Sequence, residues 1–320
     1  MSMSTVVNAV LVLLPVLFVI GLGFWAGRAR RFDRNQVQGL NDLVLTYALP
    51  ALLFVGIVTT RRSSLLASGT FVLALLIVFI GLFAVVAAIS VFVLHRGVGA
   101  AALQANCIVF ANVAFIGLPI LTPLFGPSTI FSVAIAAMVL QVTVVPLTVT
   151  VLEYAQQRSA GGETRGIAAL VVKSLFNSLK QPVVLAPLLA TALVLLDVRV
   201  PKEAESMLSL IGSATSGVAV FVAGLIIAAY HVKVTVETVA NTLMKMIVQP
   251  GLMTLLVVAF GIGKPLSSEA ILLCTLPTAV VPAMFAVRYK VYEAEAASTL
   301  LLTTLSMIVV MPIAIALTGA

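Results

Sequence analysis

Charge is what this chain has least of. Only 9% of its 320 residues are Asp, Glu, Lys or Arg, against about 25% in an ordinary soluble domain. Residues 97–152 contain no charged residue and no histidine, which excludes a water-exposed domain there. Cysteine is scarce too. Cys107 and Cys274 both fall inside apolar stretches, so there is no disulfide framework and no cysteine-based metal motif. The chain has no GxxxxGK[ST] loop, so it does not itself draw on ATP. No nucleophile–base pair marks a hydrolase, and His95 and His231 pair with no carboxylate or cysteine, so the chain reads as no enzyme. No Asp or Glu falls in the middle of an apolar stretch, which leaves no carboxylate proton relay of the usual pump type.

Apolar sequence is what is abundant. The chain is 62% hydrophobic with a mean hydropathy of +1.22, the composition of an all-α membrane protein. We read ten spans of roughly membrane length, at 6–27, 40–58, 69–94, 101–122, 128–152, 182–197, 205–229, 237–262, 268–287 and 294–318. The KSLFNSLKQ stretch before Pro182 is basic and amphipathic and is expected to lie at the interface. The polar start MSMST has no basic region or cleavage site of a signal peptide, so the first apolar stretch reads as a retained helix.

The net charge of +7 does not point to nucleic acid, because the basic residues sit in short loops between apolar spans. With the N-terminus outside, only Arg61, Arg62, Arg199, Lys202 and Lys264 face outward. The other thirteen of the 18 basic residues, Arg165 among them, face inward. That bias predicts both termini outside and a cytoplasmic central loop.

The two halves resemble each other. ALPALLFVGI carries Pro50 and Phe54, and SGVAVFVAGL carries Gly217 and Phe221 at the same spacing. VVP at Pro146 is echoed by VVMP at Pro312. Five spans per copy is an odd number, so the second copy must enter from the opposite side. The expected organisation is a first five-helix repeat over 1–155, a loop and interfacial segment over 156–181, and a second, inverted repeat over 182–320.

Each half contains one interrupted apolar stretch. FANVAFIGLPIL carries Asn112, Gly117 and Pro119, and TLPTAVVPAMF carries Pro277, Thr278 and Pro282. Proline removes an amide donor and clashes with the preceding turn, so each helix is expected to break or kink there. Interruptions at matching places in two halves are the sequence sign of a transporter's midplane site. Half-helices starting after the breaks would aim free amides and positive dipole ends at an anion. Asn112 is read as a substrate ligand beside the break, with helix–helix glue as its bland alternative. Asn106, Gln141 and Thr304 are weaker candidates. Lys245 shares a helix face with Gln249, four residues on. It is either a cation attracting an anionic substrate or a lysine snorkelling to the interface.

These residues carry a family resemblance. YALPALLF, ANVAFIGLPIL, LEY at Glu153–Tyr154, GVAVFVAGL and TLPTAVVPAMFAVRYKV, followed by AAST and VVMP, resemble segments of the auxin efflux carrier family. That family includes plant PIN auxin carriers and bacterial malonate and malate carriers. The resemblance implies two inverted five-helix repeats with crossing broken helices four and nine, and a small organic anion held beside the crossing. It carries substrate contact onto Asn112 and the crossing onto Pro119 and Pro282. The acidic residue that PIN-like carriers often hold in span seven is replaced here by Ser213, Ala214 and Thr215, and their long central loop is missing. A dicarboxylate such as malonate or malate therefore fits better than auxin.

The resulting expectation is an alternating-access carrier of a small organic anion in a bacterial inner membrane. Its partners are that substrate and the lipid bilayer, with no nucleic acid and no cofactor. Sodium or proton coupling and a homodimer are left open. The rival readings are an exporter of auxin-like aromatic carboxylates, a membrane receptor that binds an anion without moving it, and a channel.

Overall fold

The computed structural model describes residues 3–159, 166–229 and 233–319. Arg165 and His231 lie outside them. Among the described residues the chain is all-helical, and its one β-type pairing is an isolated bridge between Ala111 and Thr278.

The first half comprises α1 (Met3–Arg28), α2 (Arg34–Val58), α3 (Gly69–Phe92), α4 (Val98–Val109), α5 (Val113–Phe125) and α6 (Thr129–Arg158). Then come α7 (Ile167–Leu179) and α8 (Pro182–Leu195), bent 72° from each other. The second half continues with α9 (Lys202–Ala228), α10 (Val236–Ala259), α11 (Leu266–Thr275), α12 (Val281–Tyr289) and α13 (Glu293–Thr318). Among the described residues, seven helices are long and apolar enough to cross a membrane, and the bent α7–α8 pair makes an eighth if counted as one span. The protein is therefore an all-α membrane protein. The pieces α4–α5 and α11–α12 correspond to the two interrupted stretches.

Proline acts here in a way its presence alone does not foretell. Four π-helical turns, over 43–48, 113–117, 140–144 and 244–248, end two residues before Pro50, Pro119, Pro146 and Pro250. A proline ring displaces the carbonyl four residues back. A wider turn absorbs the displacement by bonding i to i−5, as the Leu49 amide does to the Val44 carbonyl and the Gln249 amide to the Met244 carbonyl. Pro119 thus sits in continuous helix. The first interruption falls at Phe110–Asn112, seven residues earlier than Pro119 suggests. The second spans 276–280, with Pro277 inside it and Pro282 in the first turn of α12.

Long helices without a hydrophobic force between them associate through close packing of small residues. The α1–α9 pair does so through Gly23 and Gly27 on one side and Gly224 and Ala228 on the other. A Cβ on Gly23 would lie 2.1 Å from the Phe221 carbonyl oxygen, and one on Gly224 would lie 2.2 Å from that of Ile20. Both clashes are with backbone, so no rotamer change relieves them. Gly224→Leu is therefore expected to drive α1 and α9 apart, lowering the melting temperature in detergent by several degrees. Substitution at Gly251, which has open space around it, serves as the control and should change little.

Candidate functional site

The two interruptions meet. The Asn112 amide donates to the Pro277 carbonyl at 2.9 Å, and the Ala279 amide donates to the Phe110 carbonyl at 2.9 Å. These are the two hydrogen bonds of the antiparallel bridge. They satisfy backbone groups that the broken helices leave without partners in a buried setting. Side chains complete the joint. The Thr278 hydroxyl donates to the Cys107 carbonyl at 2.6 Å, and the Thr278 amide donates to Thr303 Oγ1 of α13 at 3.1 Å. Gly117 belongs to the same joint, since a Cβ there would press on Leu276 at 3.1 Å.

A cavity of about 60 Å³ lies against this joint, room for a few waters by the usual measure. Asn112 and Gln141 line it, as do Ala114 and Phe115 at the start of α5 and Val280 and Val281 at the start of α12. First-turn amides have no carbonyl partner inside their own helix, so two helix N-termini border one small space. A second cavity, of about 460 Å³, adjoins it through shared residues Asn41, Val280 and Met284 and has Arg34 and Arg288 on its wall. The Asp33 carboxylate beside it is occupied as the N-cap of α2, accepting from the Gln36 amide at 2.8 Å. An anion approaching through the larger space would meet guanidinium groups first and helix N-termini second.

The residues singled out from the sequence occupy distinct places. Asn112 and Gln141 line the small cavity. Gly117, Pro277 and Thr278 build the joint, and Pro282 opens α12. Asn106, fully buried one turn before the interruption, has both side-chain amide atoms without a hydrogen-bond partner. Thr304 turns its hydroxyl back to the Leu300 carbonyl at 2.8 Å and does not reach the cavity. Lys245 is completely buried and so does not snorkel to water. Its Nζ donates to Gln249 Oε1 at 2.6 Å, and Gln249 Nε2 donates at 3.0 Å to the carbonyl of Val109, the last residue of α4. Among the described residues, no three His, Cys, Asp or Glu side chains gather where they could hold a metal ion.

Two features escaped sequence reasoning. Asn41 joins the two cavities, and its signal was a polar residue just inside an apolar run. The other feature is a polar chain across α4, α10 and α13. Gln104 Nε2 donates to Asn241 Oδ1 at 2.9 Å, and Asn241 Nδ2 reaches the Tyr292 hydroxyl at 3.0 Å and Thr299 Oγ1 at 3.3 Å. Tyr292 and Arg96 both donate to the Glu237 carboxylate. The hydrogen bond to Glu237 raises the pKa of Arg96, while burial, and then Glu237, raises that of Tyr292. Glu237, Asn241 and Lys245 recur every four residues on α10, a polar stripe that could have been read.

A family model described as membrane transport protein matches residues 8–315. The chain belongs to this family, the auxin efflux carrier family. It is 33% identical over 305 residues to "Uncharacterized transporter YfdV" of Escherichia coli (strain K12), covering 94% of this chain and 95% of that protein. It is 25% identical over 297 residues to "Putative malonate transporter" of Rhizobium meliloti (strain 1021), covering 91% and 90%. The protein is thus a membrane transporter and not an enzyme, and the receptor reading falls away.

The joint predicts its own weak point. Thr278→Val keeps the shape but leaves the Cys107 carbonyl unsatisfied, and should destabilise the protein by about 1 kcal/mol. Thr304→Val removes only a hydrogen bond to its own helix and should cost less. Thermal melting of both variants in the same detergent makes the comparison.

Proposed function

We propose that the chain is a secondary carrier of small organic anions, dicarboxylates such as malonate or malate, working by alternating access. The observation that carries this reading is the small cavity bordered by the N-termini of α5 and α12, with Asn112 on its wall and Arg34 and Arg288 along its approach. Helix N-termini favour negative charge through their free amides and dipole. The Asn112 side chain makes no hydrogen bond among the described residues, which leaves its amide for a ligand. The name of the Rhizobium meliloti relative points the same way.

The architecture we infer is two inverted five-helix repeats, over 1–155 and 182–320, joined by the segment 156–181. Helix packing supports it. α1 packs along α9, and α8 packs along α2. Counted as spans, these are one with seven and six with two, the exchange that an inverted five-span repeat produces. The crossing pieces α4–α5 and α11–α12 are then spans four and nine. α7, turned 72° from α8, suits the interfacial role read from its basic, amphipathic sequence. We further infer a bacterial inner membrane, with both termini outside as the basic-residue bias suggests.

Two experiments test the reading. Uptake into proteoliposomes is measured with labelled mono- and dicarboxylates, aromatic ones included. Saturable uptake and counterflow of a dicarboxylate are expected, and Asn112→Ala should weaken its binding by about 1–3 kcal/mol with unchanged melting temperature. Normal affinity in that variant would remove Asn112 from the site, and uptake without counterflow would indicate a channel. For topology, single cysteines replace the exposed Glu203 and Lys180. The native Cys107 and Cys274 are buried and give little background. An impermeant thiol reagent added outside should label position 203 and not 180, and the reverse would overturn the orientation.

A further inference from the structure

Lys245 is an anomaly that anion attraction alone does not explain. It sits in the π turn of α10 with none of its side chain exposed, and among the described residues its one hydrogen-bond partner is the neutral Gln249. The elements packed against this turn are α4, α11 and α13. On α11 the titratable groups are the Cys274 thiol and the buried Glu269 carboxylate, which lies in the first turn, about 7.5 Å along the helix from Cys274. On α4 the titratable group is the Cys107 thiol, and the Val109 carbonyl is linked to the lysine through Gln249. On α13 the carboxylates Glu293 and Glu295 lie in the first turn. On α10 itself, Glu237 lies about 12 Å back along the helix and is already bound by Arg96 and Tyr292. Among the described residues no carboxylate forms an ion pair with Lys245.

A charged amine buried without a counter-charge is strongly disfavoured, and lysine, unlike arginine, can release its proton in such a place. The same amine lies close to where an anion would bind. Two hydrogen bonds lead from Nζ through Gln249 to Val109, and the next residue, Phe110, lines the small cavity. An anion in that cavity supplies, through a medium of low dielectric, the negative charge that Lys245 lacks.

We propose that Lys245 is the proton carrier of this transporter. Its amine takes up a proton when an anion occupies the cavity at the crossing and releases it when the anion leaves, so that anion and proton cross together. The inference rests on the anion-carrier reading above. The linkage is reciprocal: whatever factor the anion contributes to protonation, the proton returns to anion affinity. The proton is neither made nor consumed. It enters from the side where the anion binds and leaves on the side where the anion is released, and no Asp or Glu is needed in the path.

The test uses the full-length protein in proteoliposomes with malonate, or with whichever dicarboxylate shows counterflow, and a pH-sensitive dye trapped inside. In the wild type, an inward proton gradient at zero voltage should raise accumulation several-fold, and substrate influx should acidify the lumen. Lys245→Gln and Lys245→Met should keep counterflow at a reduced rate and lose both responses. Lys245→Arg, permanently charged, should bind substrate and also lose them. If the proton rode on the substrate, the Gln and Met variants would keep gradient-driven accumulation, and that result overturns the proposal. So does a wild type with counterflow but no response to the gradient. Absence of wild-type counterflow with every anion tried overturns the carrier reading itself. The Gln, Met and Arg variants are independent of one another, so the remaining ones decide the matter if one fails to fold.

Discussion

The structure depends on the pairing of two interrupted backbones. Phe110–Asn112 and Pro277–Ala279 exchange two hydrogen bonds in the middle of an apolar helical assembly. Neither interruption would be tolerable alone, because a buried amide or carbonyl without a partner costs about 1–3 kcal/mol and a bilayer offers no water to replace it. Each break is the condition for the other. Once they pair, four helix ends converge at one place, and the two that start there border a shared cavity.

The rest of the polar inventory is arranged around that joint. Thr278 and Thr303 tie it to α4 and α13, and Gln249 ties α10 to the last carbonyl of α4. Further along the same helices, Gln104, Asn241, Thr299, Tyr292, Glu237 and Arg96 form a second belt. In a chain that is only 9% charged, concentrating the polar side chains at helix crossings fixes relative helix positions. Apolar side chains facing lipid cannot do this, since lipid tails are as apolar as leucine. The close contact of Gly23 with Gly224 fixes a different pair by shape alone.

The positive charge is graded in a way that suits an anion's path. Arg34 and Arg288 stand exposed on the wall of the larger cavity. Lys245 is out of water and bonded to Gln249, whose amide reaches the Val109 carbonyl next to the cavity-lining Phe110. In the proposed mechanism the single amine at Lys245 makes anion binding and protonation depend on each other.

Much of this was legible in the sequence. Low charge, long apolar runs and the doublet of Pro-containing interruptions gave the membrane class, the helical segments and the neighbourhood of Asn112 and Thr278, because hydropathy and proline chemistry act locally. The exact point of interruption was not legible. Pro50, Pro119, Pro146 and Pro250 are all accommodated by π turns within continuous helix, whereas the first true break falls at Phe110–Asn112, where no proline stands. Proline sets where a helix must deform. Whether it widens by one bond or opens altogether depends on whether a partner backbone lies within reach to accept the freed groups. That partner lies more than 160 residues away in the chain, and only the tertiary fold brings it there. The same reason hid the state of Lys245: its spacing from Gln249 was written in the sequence, but its burial was decided by the helices packed around it.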